Sequence, residues 1–279
     1  MKRLISITLF TLTALGSAKA QYASTPGSIW LKKMPGDIKN EQQAPEWSRR
    51  PDDGTAFSRV SHATLEPFTP VAGTSNGRAV IVCPGGGYQM LAYEKEGQEV
   101  AQWLAKQGYN AYVLAYRIPN DRKGALEDLQ RAIRCLRHQG AKSVGVIGFS
   151  AGASLATRGA TNWKTPVYEP IDKAIDTLSC RPDFAMLIYP AYLDEGEGGT
   201  LSPDLHVDQD TPPMFVFGSQ DDVRYSGPSC KTILKAMQEA SAPIEMHYLH
   251  KAGHGYGMRR GAGLVWPALA EQWLKAVHK

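Results

Sequence analysis

Apolar runs of four to six residues alternate with amphipathic stretches along most of this chain. The first clear run, 78–83, predicts a strand. Residues 94–106 follow with Val100, Trp103 and Leu104 at helical spacing. A strand over 111–116 comes next, then a helix over 125–138 with Leu129, Ile133 and Leu136 on one face. The pattern repeats with a strand over 143–147 and a helix of small residues. After an insertion come strands over 184–189, 214–217 and 244–248, a helix over 230–240 and a last helix over 265–277. Short buried strands between amphipathic helices predict an α/β protein with a mostly parallel central sheet and helices on both faces. No internal repeat or linker divides the alternation, so one domain is expected over 58–279.

The N-terminal part reads differently. Lys2-Arg3, an apolar middle over 4–15 and Ala18-Lys19-Ala20 form the three parts of a secretory signal peptide, 1–20. The apolar run is about a dozen residues, short of the roughly 20 that span a bilayer. Export to the periplasm or beyond, with cleavage near Ala20 and no stable membrane insertion, is the expectation. Residues 21–57, rich in Pro, Gly, Lys and Arg, are expected to be an extended lead-in.

Cleavage changes the charge balance. The whole chain carries a formal +4. Three of its basic residues lie in the signal, leaving 28 against 27 acidic and a net charge of +1. Such a balance gives no support to a nucleic-acid partner. The four cysteines, Cys83, Cys135, Cys180 and Cys230, have no zinc-like spacing. An oxidising compartment permits disulfides, the sequence selects no pairing, and Cys83 fits a buried thiol.

The candidate chemistry sits after the strand over 143–147. Gly148-Phe149-Ser150-Ala151-Gly152 is Gly-x-Ser-x-Gly between a strand and a helix, the setting that lifts a serine hydroxyl out of a sheet on a sharp turn. Serine needs a base, and the base needs a carboxylate to fix its tautomer. Asp222 and His254 follow Ser150 in that order, each beyond the end of a predicted strand. Asp221 rivals Asp222, and His250 rivals His254. His247 reads as a strand residue, and Asp208 and Asp210 as a solvated loop. Taken alone, Gly-x-Ser-x-Gly also fits a tight turn with an inert serine; the strand context, the glycine run and the ordered Asp and His argue against that.

Acyl transfer also needs N–H donors for an oxyanion. Pro84-Gly85-Gly86-Gly87-Tyr88 supplies a glycine loop, so Gly86, Gly87 and Ala151 are the candidate donors. The loop lacks the Lys and Ser/Thr of a phosphate-binding loop. Tyr88 and Glu96 are candidate substrate contacts, although an acid early in a helix also complements the dipole. Trp163, Tyr168 and Tyr192 could line a cleft or simply pack. No metal site and no cofactor is expected.

These residues, with Arg181-Pro182-Asp183-Phe184 and Gly253-His254-Gly255-Tyr256-Gly257, resemble the α/β-hydrolase esterases. The nearest likeness is to bacterial secreted acetyl and acetylxylan esterases, related to dienelactone-hydrolase and feruloyl-esterase-like groups. It covers about 59–277, and Pro84 departs from the histidine common before the glycine run in lipase-like relatives. The resemblance implies removal of acetyl groups from plant polysaccharide or oligosaccharide, so an acylated carbohydrate is the expected partner. A peptidase of the same fold and a non-catalytic carbohydrate-binding relic are the alternatives.

Overall fold

Strand 79–83 has no polar side chain on either face, which suits only a strand covered from both sides. The computed structural model describes residues 27–30, 34–35 and 45–278. The predicted signal segment 1–20 lies outside them. In chain order the strands are β1 (Gly27–Ser28), β2 (Glu46–Arg50), β3 (Gly54–Arg59), β4 (Thr64–Phe68), β5 (Ala79–Cys83), β6 (Asn110–Ala115), β7 (Val144–Phe149), β8 (Phe184–Ile188), β9 (Met214–Ser219) and β10 (Ile244–Leu249). The helices are α1 (Glu99–Lys106), α2 (Arg122–His138), α3 (Ala151–Thr161), α4 (Lys173–Asp176), α5 (Ser226–Glu239) and α6 (Trp266–Val277).

One sheet runs β1-β4-β6-β5-β7-β8-β9-β10. β6 through β10 are parallel, while β4 and β1 add antiparallel at one edge. Every residue of β5 to β9 is buried, whereas β10, at the far edge, is only partly covered. The connection from β5 goes to β6 on one side, and the next returns to β7 on the other. Right-handed crossovers therefore put α1 on one face and α2 and α3 on the other. α6 joins the α1 face, where Trp266 packs edge-on against Trp103 with ring centroids 5.3 Å apart. The reversal opens a crevice at the carboxyl ends of β5 and β7, where ligands bind in open α/β sheets.

The lead-in is tied down where it is described. The indole N–H of Trp30 donates to the buried Asp128 carboxylate at 2.7 Å. Arg131 donates to the Ile29 carbonyl and Arg117 to that of Pro35. β2 and β3 form a separate hairpin. α2 starts three residues before the predicted boundary because Asp121 caps it, accepting from the Gly124 N–H at 2.7 Å. The predicted helix over 94–106 divides into a π-helical turn, Glu94–Gln98, and α1. None of the four cysteines is in a disulfide; Cys83, Cys180 and Cys230 are buried thiols.

Candidate active site

Ser150 occupies the one-residue corner between β7 and α3, with φ +51° and ψ −116°. A side chain in that region is strained and persists only where its surroundings hold it. The flanking glycines make the corner possible by contact. A Cβ on Gly148 would lie 2.1 Å from the Gly152 carbonyl oxygen, and one on Gly152 would lie 2.0 Å from that of Cys83. The Ser150 N–H donates to the Ile188 carbonyl at 3.1 Å, fastening the turn to the neighbouring strand end.

Three remote segments meet there. His254 Nε2 lies 2.8 Å from Ser150 Oγ, and His254 Nδ1 lies 2.5 Å from Asp222 Oδ2. The same carboxylate oxygen accepts the Ser226 N–H at the start of α5 at 3.0 Å. An ionised carboxylate only accepts, so Nδ1 carries the imidazole proton and Nε2 is left to accept from the serine hydroxyl. That line of serine, imidazole and buried carboxylate is the arrangement of a serine hydrolase.

A family model described as serine hydrolase (FSH1) matches residues 78–256. The chain belongs to this serine hydrolase family. It is 28% identical over 223 residues to an acetylxylan esterase of Xylanibacter ruminicola, an alignment covering 65% of this chain and 42% of that protein. The chain thus spans less than half the length of that curated relative. Among solved structures, it resembles an acetyl ester-xyloside bifunctional hydrolase from Caldicellulosiruptor lactoaceticus, with TM-score 0.71, 24% identity, and coverage of 91% of this chain and 97% of the other. It also resembles MGS-M1, an α/β hydrolase enzyme from a Medee basin deep-sea metagenome library, with TM-score 0.63, 29% identity and coverage of 77% and 92%. The fold is that of the α/β hydrolases.

In this serine hydrolase the glycine loop after β5 abuts the nucleophile. A Cβ on Gly85 would stand 2.9 Å from Ser150 Cβ. Gly86 and Gly87 have φ of +134° and +67°, and both are partly exposed. Among the described residues no protein acceptor takes the N–H of Gly86, Gly87 or Ala151. The Ala151 N–H belongs to the first turn of α3, where helix geometry leaves N–H groups unpaired. The Gly85 N–H, by contrast, donates to Glu96 at 2.9 Å.

Two candidate substrate contacts sit elsewhere than in the cleft. Tyr88 is 2% exposed and its hydroxyl donates to Ser154 at 3.3 Å. Glu96 is 3% exposed and lies beneath the glycine loop, accepting from Gly85 and from the Tyr189 hydroxyl at 2.7 Å. A carboxylate so enclosed cannot meet a sugar in the crevice. Burial pushes its pKa up, against the lowering effect of the Tyr189 bond, the Lys95 charge and the Gly85 N–H.

The rival residues fall outside the line. Asp221 accepts from the N–H groups of Ala252 at 3.0 Å and Gly253 at 3.1 Å, so it holds the loop that carries His254. Those backbone bonds depress its pKa to about 2. His250 pairs with Gln220, and His247 with Glu245. Asp208 and Asp210 share the exposed Lys164. Tyr168 is packed against Trp30, and Trp163 lies under Lys164 and Arg181. Tyr192 does belong to the site. A side chain on Gly87 would begin 3.5 Å from its hydroxyl, and Arg122 stacks 4.9 Å over its ring. Sequence reasoning missed Tyr225, whose ring lies 5.2 Å from His254 and 6.0 Å from Tyr192, and Tyr189, whose ring lies 4.9 Å from His254. The position of Tyr225, three residues past Asp222, was the available signal. Among the described residues no group of three or more His, Cys, Asp or Glu is placed to hold a metal, and no helix is long and apolar enough to cross a membrane.

Proposed function

We propose that the chain is a serine carboxylic-ester hydrolase that removes acetyl groups from acetylated xylan or its oligosaccharides. One observation carries the chemistry: the continuous hydrogen-bonded line from Ser150 through His254 to Asp222 at a strained strand-to-helix corner. His254 Nε2 takes the serine proton as Oγ attacks the ester carbonyl carbon. The oxyanion that forms is held by the N–H groups of Gly86, Gly87 and Ala151. The imidazolium then gives its proton to the leaving sugar oxygen, and the carbon–oxygen bond breaks. Water enters, loses its proton to His254 and attacks the acyl-serine, releasing the acid and restoring the hydroxyl. Asp222 stays ionised throughout and stabilises the charged imidazole.

The acetylated xylan substrate is supported by the likeness to an acetylxylan esterase and to an acetyl ester-xyloside hydrolase. A small acyl pocket beside Tyr192, whose hydroxyl stands next to Gly87, belongs to the same reading. Export after cleavage near Ala20 belongs to the same reading, since a polysaccharide does not enter the cell. Acetate release from acetylated xylan, with Ser150→Ala as the control, tests it. Faster hydrolysis of p-nitrophenyl octanoate than of the acetate would overturn the small acyl pocket.

A further inference from the structure

The buried carboxylate of Glu96 has no part in that proton traffic, yet it touches both halves of the site. Its Oε2 accepts the Gly85 N–H at 2.9 Å, at the base of the glycine loop. Its Oε1 accepts the Tyr189 hydroxyl at 2.7 Å. That hydroxyl accepts the Gly257 N–H at 3.0 Å, three residues beyond His254. The direction of the chain is therefore fixed. Gly257 donates to Tyr189, and Tyr189 donates to Glu96, so both oxygens act as acceptors, as an ionised carboxylate does. The Tyr189 ring meanwhile packs against the imidazole with centroids 4.9 Å apart.

The neighbouring residue repeats the connection. Lys95 is buried, donates to the Gly255 carbonyl at 2.8 Å and pairs with Asp53. Both residues lie in the π-helical turn Glu94–Gln98, a rare geometry concentrated at functional sites. Consecutive residues of this turn thus grip the loop that carries His254, and one of them also grips the oxyanion loop. We propose that Glu96 is a positioning residue that locks these two loops in register. The inference rests on the ester-hydrolysis reading above.

The groups facing Glu96 are Lys95 from its own turn, Tyr116 from the end of β6, Tyr189 from the end of β8, and Tyr256 and His254 from the histidine loop. Lys95 and the imidazolium are the cations among them. Burial holds all three tyrosines neutral, raising each hydroxyl above its ordinary range.

Glu96→Gln keeps the shape and removes the charge and one acceptor. We expect kcat for p-nitrophenyl acetate to fall about 10- to 100-fold with KM little changed, the scale of a small misplacement of catalytic groups. Tyr189→Phe, which breaks only the arm to the histidine loop, should lower kcat about tenfold, and the double variant should be less than additive. Unchanged kcat in folded Glu96→Gln would overturn the inference, as would strict additivity. If Glu96→Gln does not fold, Tyr189→Phe decides: wild-type kcat in it refutes the lock. The rate of fluorophosphonate labelling of Ser150, read in parallel, separates the two hypotheses. A wild type that labels but hydrolyses no ester defeats the substrate reading, and the labelling rates of the variants then judge the lock.

Discussion

The nucleophile and the histidine are held in opposite ways. Ser150 leaves β7, a strand buried along its whole length with β5 and β8 on either side. Its position follows from the sheet itself, and the contacts at Gly148 and Gly152 leave the corner little room to move. His254 instead follows β10, a partly covered edge strand, and sits in a loop with glycines at 253, 255 and 257. The sheet gives that loop one bond, from the Ser219 hydroxyl at the end of β9 to the Gly253 carbonyl at 3.4 Å. Its place is set by ties from outside the loop: Asp221 to two N–H groups, Lys95 to a carbonyl, Tyr189 to another N–H, and Asp222 to the ring. One half of the site is built by the core, and the other by a set of polar bonds.

Perturbing each half should show that difference. Ser150→Ala should lower kcat/KM by about a millionfold, abolish fluorophosphonate labelling, and leave the thermal melt within a few degrees. Asp222→Asn leaves Nδ1 without its carboxylate and should cost about 10,000-fold in kcat. Steady-state kinetics with circular dichroism separates that loss from unfolding. Asp221→Ala removes a tie without touching the imidazole. A fall of about tenfold in kcat with KM unchanged is expected from the loosened loop. The tie is also robust to acid. The Asp221 pKa in the fold is about 2, below that of a free carboxylate. The tie is therefore complete above about pH 4 and lost only as pH falls through about 2. Between pH 4 and 8 the ratio of Asp221→Ala to wild-type kcat should stay constant, and a ratio that varies there would remove Asp221 from this role. The smallest effect on catalysis should come from Trp30→Phe, whose partners Asp128 and Tyr168 belong to neither loop. Losing its bond to Asp128 should destabilise the fold by about 1–3 kcal/mol in urea titration, with kcat unchanged.

The same contrast explains what could be read from the sequence. β5, β7 and β8 were legible because strands buried on both faces are uninterrupted apolar runs, and the Gly-x-Ser-x-Gly corner advertises its own geometry. Asp222 and His254 were legible from order and position after strands. The ties were not. A carboxylate at position 96 looks the same whether it faces solvent at a helix start or lies under a glycine loop. Its inward turn comes from the π-helical geometry of Glu94–Gln98, which leaves no compositional trace. Asp221 and Asp222 are adjacent and chemically identical, and only the fold assigns one to the loop backbone and the other to the ring. β1 to β4 escaped notice because edge and hairpin strands mix Pro, Gly and charge with few apolar residues.

The four unpaired thiols have a practical meaning for how this molecule reaches its working state. No covalent cross-link has to close before the crevice takes shape, so maturation asks for no thiol oxidant and no disulfide exchange. Dithiothreitol should leave both the melting curve and the turnover rate where they were, and the same chain should ripen equally well in a reducing cytosol or an oxidising envelope.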